Sequence, residues 1–161
     1  MFEFVTDIIL WLTELAAGAP VWQQFGVLLL GGAIPFVESY LGSFFGVLAG
    51  VNPVVAVLAS VLGNLVATFS LIALSGKARA AATRGKDRSK RHEKVAKFLD
   101  RFGVPGVCLF GPLVVASQIT APTLVALGAD KRSVFAWQGI AIVAWGIAFG
   151  FFGDVAITWF M

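Results

Sequence analysis

Residues 31–53 read GGAIPFVESYLGSFFGVLAGVNP, and the fold turns on how this stretch is read. It is apolar, yet Pro35, Gly42, Gly46 and Gly50 interrupt it. Glu38 lies inside it and is the one charged residue between positions 14 and 77. An acid at the centre of a spanning helix costs roughly 2.5–3.5 kcal/mol on insertion scales, and such residues mark paths for protons, ions or substrate.

Composition sets the surroundings of that carboxylate. The chain is 58% hydrophobic and 13% charged, where soluble domains run at about 25% charged. An all-α integral membrane protein follows, with residues 1–161 as a single membrane domain. Ten of the 12 Lys and Arg lie between positions 77 and 101, and the others are Lys131 and Arg132. Beside long apolar segments a basic run fits the positive-inside rule better than nucleic-acid binding. The loop 77–101 is therefore expected in the cytoplasm. Cys108 is the single cysteine, so no intrachain disulfide forms, and it reads as a packing residue. Glu3 and Asp7 stand where a cleavable signal needs positive charge, so none is expected.

Along the chain, residues 1–18 predict an amphipathic interfacial helix with Glu3, Asp7 and Glu14 on one side. Residues 21–51 are apolar and broken. Residues 53–75 are a clean spanning run, with Asn52 as N-cap, Pro53 in the first turn and an end at Ser75-Gly76. Residues 86–101 predict a polar surface helix, suited to solvent or to anionic headgroups. Residues 102–128 are apolar and broken again, by Gly103, Pro105, Gly106, Gly111-Pro112 and Pro122. Residues 133–153 are a second clean run, with Asp154 and Trp159 at its outer end.

The same order thus occurs twice, over about 1–76 and about 86–161, with the basic loop and surface helix 77–101 between and overlapping. Phe25-Gly26-Val27 matches Phe102-Gly103-Val104, and Pro35 matches Pro112 at the same offset. If Lys131 and Arg132 are also cytoplasmic, 102–128 must enter and leave on one side. Each arm of such a hairpin, about a dozen residues, reaches roughly 18 Å at 1.5 Å per residue. The predicted fold is an inverted repeat, each half an interfacial helix, a re-entrant broken helical hairpin and a spanning helix. Four plain spanning helices are the alternative.

Glu38 is the candidate for transport and proton coupling. No Lys or Arg lies in the broken or clean segments to hold it ionised, and loss of water disfavours a charged carboxyl. It is expected to hold a proton in a closed site and release it to an arriving cation or water. Tyr40, Asn64, Ser117, Gln118 and Thr120 are candidates for the substrate path, with Tyr40 as a hydrogen-bond partner of Glu38. Ser117, Gln118 and Thr120 are placed at the opposing hairpin tip. Pro35, Gly111, Pro112 and Pro122 mark the hairpin breaks. Gly42, Gly46, Gly50, Gly146 and Gly150 form small-residue packing faces. The sequence leaves open whether they pack within the chain or across a homodimer. His92 reads as solvated. No metal cluster, cofactor motif or nucleophile–base pair stands out, and an enzyme is not expected.

The stretches IPFVESYLGSFFGVLAG, SVLGNLVA and FGPLVVASQITAPTLVALGA, with the basic loop between the last two, carry a family resemblance over about 30–158. Pro35-x-x-Glu38, Leu62-Gly63-Asn64 and the Pro-rich second segment resemble the bacterial small multi-drug export protein family and, more distantly, the DedA superfamily. The first resemblance implies drug export from the bacterial inner membrane. The second implies opposed re-entrant hairpins and movement of polyprenyl-phosphate lipids. DedA-type sequences place arginine in the second hairpin, whereas residues 103–129 here contain none. Three functions stay open: proton-coupled export of small cationic or amphipathic molecules, lipid flipping or scrambling, and a non-transporting structural subunit. The expected partners are membrane lipids and a small-molecule or lipid substrate, not nucleic acid.

Overall fold

The structure is a computed structural model and describes residues 2–82 and 90–160. All regular structure among them is helical: α1 (Phe2–Ala16), α2 (Val21–Ala33), α3 (Glu38–Leu48), α4 (Pro53–Ala82), α5 (Lys90–Phe110), a 3-10 turn (Gly111–Leu113), α6 (Ser117–Ala126) and α7 (Lys131–Phe160). Within α4 and α7, Pro53–Ser75 and Lys131–Trp159 are long and apolar enough to cross a membrane.

Each break has a local cause. Pro35 removes a donor after α2, and the chain turns over residues 34–37 before α3. After α3, Gly50 takes φ 82°. Its N–H reaches the Val47 carbonyl and the Val51 N–H reaches Gly46, the paired bonds of a glycine C-cap. Asn52 Oδ1 then accepts the Val54 N–H at 2.9 Å and starts α4. The same joint recurs after α6. Gly128 takes φ 103°, its N–H and that of Ala129 bond to Val125 and Leu124, and Asp130 Oδ2 caps Ser133 at 2.7 Å.

A Gly-x-Pro joint also occurs twice, though not at the letters that suggested a match. Gly103 has φ 65° and kinks α5 two residues before Pro105. Gly18, with φ 68°, stands two residues before Pro20 at the start of α2. The Gly-x-Pro joint is thus common to both, whereas Gly26 is an ordinary position inside α2. A second correction concerns α4. It does not stop at Ser75-Gly76 but runs to Ala82, because Lys77-Ala78-Arg79-Ala80-Ala81-Ala82 are strong helix formers. Residues 83–89, which include the first part of the predicted surface helix, lie outside the described residues.

Contacts divide the chain into two compact units, one of residues up to Val66 together with those from Ile142, the other of Ala67–Ala141. In the first unit, Ala16, Leu28, Val47, Val51, Ala56 and Ala59 form the apolar core. Small residues let its helices touch backbone to backbone. A Cβ on Gly32 would strike the Ser60 carbonyl, and one on Gly63 the Leu29 carbonyl. A Cβ on Gly42 would lie 2.7 Å from Ser60 Oγ, and one on Gly46 2.8 Å from Leu28. Gly146 packs on Val61 and Ser39, and Gly150 on Val57 and Ser43. Gly42, Gly46, Gly146 and Gly150, like Gly32 and Gly63, therefore meet the chain's own residues. Gly50 has open space around it and serves as the C-cap rather than as a packing face. In the second unit the core is Ile72, Val107, Cys108, Ala121, Leu124, Val125 and Val134. Lys131 Nζ donates to the Ala73 carbonyl at 3.1 Å, tying the start of α7 to α4.

The polarity of α4 is inside out by the standards of a soluble helix. Val54, Leu58, Leu62 and Val66, one turn apart, are 64, 53, 44 and 64% exposed, while Ser60, Asn64 and Thr68 are fully buried.

Substituting Gly63→Ala forces α2 away from α4, and overpacking of this kind costs about 1–3 kcal/mol. Thermal unfolding of the detergent-purified protein should show a clear drop in midpoint. An unchanged midpoint would mean that the two backbones do not approach as described.

Candidate functional site

The site in the first unit is built on the break between α2 and α3. Phe36 and Glu38 have φ 73° and 53°, the positive-φ residues other than glycine among those described. Left-handed backbone at such residues costs on the order of 1–3 kcal/mol each and persists where the surroundings enforce it. Three bonds enforce it here. Val37 and Glu38 N–H both reach the Ile34 carbonyl, at 3.2 and 3.1 Å. The Tyr40 hydroxyl donates to the Phe36 carbonyl at 3.2 Å. The Tyr40 ring is held edge-on against Phe149, with centroids 5.4 Å apart. Tyr40 thus fastens the turn from which Glu38 projects, through the backbone carbonyl of Phe36.

Glu38 is 1% exposed. Asn64, from the middle of α4, donates through Nδ2 to Glu38 Oε2 at 3.5 Å and to Ser39 Oγ at 3.4 Å. Both contacts are at the long end of hydrogen-bond range, and the one amide spans the two acceptors. Ser39 Oγ in turn donates to the Ile142 carbonyl of α7 at 2.9 Å. Carboxyl, amide and hydroxyl therefore link α3, α4 and α7 in one buried chain. Pro35 itself is exposed at the turn.

One helical turn further along, Ser43 of α3 and Ser60 of α4 repeat the arrangement without completing it. Both are fully buried, and both hydroxyls lack a hydrogen-bond partner. The sequence reading passed over Ser39, Ser43 and Ser60. The signal was present in their four-residue spacing, Ser39 to Ser43 and Ser60 to Asn64, which puts each pair on one helix face.

In the second unit, Ser117, Gln118 and Thr120 open α6 and are buried. Ser117 Oγ shares a hydrogen bond of 3.3 Å with Thr68 and lies 3.5 Å from Gln118 Oε1. Thr120 donates to the Val115 carbonyl at 2.9 Å, satisfying backbone freed at the break. Gly111 and Pro112 form the buried 3-10 turn before it, whereas Pro122 lies inside α6 rather than at a break. Gln138, unmarked in the sequence reading, is fully buried on α7 with no partner for either amide atom.

Among the described residues no group of three or more His, Cys, Asp and Glu is placed to hold a metal. Compared with known proteins, the chain matches no family model, no curated protein and no solved structure.

Replacing Asn64 with Leu removes the donor shared by Glu38 and Ser39. Losing a partner inside such a network costs about 1–3 kcal/mol. Denaturation of the purified variant should show that loss, and Ser39→Ala in the Asn64→Leu background should add less than it does alone. Full additivity would show that the two side chains do not act together.

Proposed function

We propose that this chain is an integral membrane transporter that exports small cationic or amphipathic molecules in exchange for protons at Glu38. The observation that carries the membrane setting is the inside-out polarity of α4. Burying Ser60, Asn64 and Thr68 while exposing Val54, Leu58, Leu62 and Val66 is costly in water and suits a helix surrounded by lipid. The carboxyl supports cation handling. It lies on a strained turn and is buried, with the Asn64 amide beside it. An incoming cation offers a charge-assisted contact, and a proton serves when the cation has left.

The re-entrant reading draws support from helix lengths and from Lys131. At 1.5 Å per residue α2, α3 and α6 reach roughly 15–20 Å, short of a hydrocarbon core of about 30 Å. The bond from Lys131 to Ala73 sets the start of α7 beside the α4 segment that leads to the basic loop. The intervening segment then begins and ends on the cytoplasmic side, in an inverted repeat within the bacterial inner membrane. The resemblance to small multi-drug export proteins points the same way. Lipid-phosphate flipping is less favoured because Ser117, Gln118 and Thr120 offer no positive charge at the second break.

In proteoliposomes with an imposed pH gradient, Glu38→Gln should abolish pH-dependent uptake of organic cations. Unaltered uptake by that variant would end the proposal. Running labelled polyprenyl phosphate beside the cations separates export from lipid flipping.

A cysteine introduced at Arg132, in a chain with Cys108 replaced by Ala, should react with a membrane-impermeant reagent from the cytoplasmic side. Reaction solely from the outside would overturn the re-entrant topology.

A further inference from the structure

Within the first unit a groove of about 330 Å³ runs between α4 and α7, inside the roughly 300–1,000 Å³ of small-molecule sites. Val54, Leu58, Ile147 and Phe151 form apolar walls, Gly150 belongs to the lining, and Asp154 contributes a carboxylate. The wall residues are 53–64% exposed and Asp154 is exposed, so a ligand reaches the groove from the side.

Two features identify the occupant. The lining is almost wholly apolar but includes a formal negative charge, which matches an alkyl chain ending in a cation and disfavours an anionic lipid. Behind Gly150 the packing is mixed, with the Val57 side chain touching it first and Ser43 next. A Cβ on Gly150 would lie 3.7 Å from Ser43 Cβ, and Ser43 and Ser60 are the buried hydroxyls without partners. One turn beyond them stand Ser39, Asn64 and Glu38. Unsatisfied buried hydroxyls are rare and point to water or a ligand that visits them. The next turn along, Val47 and Ala56, is apolar and closes the seam.

We propose that this groove binds single-chain organic cations, with the alkyl chain between α4 and α7 and the ammonium at Asp154, and that it is the side opening toward Glu38. The inference rests on the transporter reading for the identity of its cargo. Asp154 selects the charge at the membrane surface. The hydroxyls of Ser43 and Ser60 supply partners for the water or head group that moves inward when the helices part at Gly150.

The test uses the full chain in zwitterionic nanodiscs and a dodecyltrimethylammonium probe bearing a diazirine on its chain, with labelled residues mapped by mass spectrometry. Labelling should concentrate at Val54, Leu58, Ile147 and Phe151 and be displaced by unlabelled dodecyltrimethylammonium but not by dodecyl maltoside. Asp154→Asn should weaken labelling about threefold, the size expected for an exposed ion pair. Val54→Trp fills the groove from its exposed edge and should weaken labelling at least about tenfold by excluding buried methylenes. Both positions are exposed, so both variants should unfold like the parent. Labelling spread evenly to Leu62 and Val66, or equal labelling by an uncharged probe of the same chain, would show a lipid-chain slot and overturn the proposal. Glu38→Gln separates the two claims. If it abolishes transport while Asp154→Asn and Val54→Trp change nothing, the groove reading fails and the transporter reading stands. If the groove labels as expected but no cation is transported, the transporter reading fails and the binding site stands.

Discussion

A helix broken in apolar surroundings leaves backbone groups that must find partners without water, and the first unit is arranged around that need. The turn over residues 34–37 would leave carbonyls and amides bare. The Ile34 carbonyl takes two amides, Tyr40 covers the Phe36 carbonyl, and Ser39 reaches across to Ile142. The turn itself is satisfied locally, by two backbone amides and the Tyr40 hydroxyl, whereas the Ser39 bond joins α3 to α7 and forms only if those helices stand close together. Glycines at 32, 42, 63, 146 and 150 make that closeness sterically feasible. Packing and polar satisfaction are therefore the same requirement, and Glu38 sits where they meet.

Much of this was legible in the letters. The interruptions at Pro35 and Pro112, the cap at Asn52 and the isolation of Glu38 each follow from one residue's own chemistry. Asn64 stood out as an amide in an apolar helix, and Glu38, the one buried charge among the described residues, was available to it. The serines were harder. A serine in an apolar helix is common, because its hydroxyl can bond back within its own helix. Only placement shows that Ser43 and Ser60 do not. The joint at Gly18-Ala19-Pro20 was missed for a different reason. Pro20 precedes Pro35 by 15 positions whereas Pro105 precedes Pro112 by 7, so the letters fall out of register. Helix lengths misled in a third way. Alanine and basic residues after Gly76 continue α4, and nothing in a hydropathy pattern marks where a helix outlasts its apolar stretch.

The two halves also differ where chemistry enters. Both breaks lead into a helix that begins with buried polar residues, Glu38 and Ser39 in one, Ser117 and Gln118 in the other. One carries an ionisable group and the other a neutral amide. The glycine caps at Gly50 and Gly128 and the side-chain caps at Asn52 and Asp130 are alike in the two places, while the buried residues just after each break differ.

The left-handed backbone at Glu38 has an evolutionary consequence. Glycine at this position would relax the strained dihedral and remove a buried carboxyl in one step. Selection for heat resistance alone would therefore drift toward losing the acid. In such a lineage the most durable protein would be the one without the buried acid, so the glutamate sits where stability alone would not keep it.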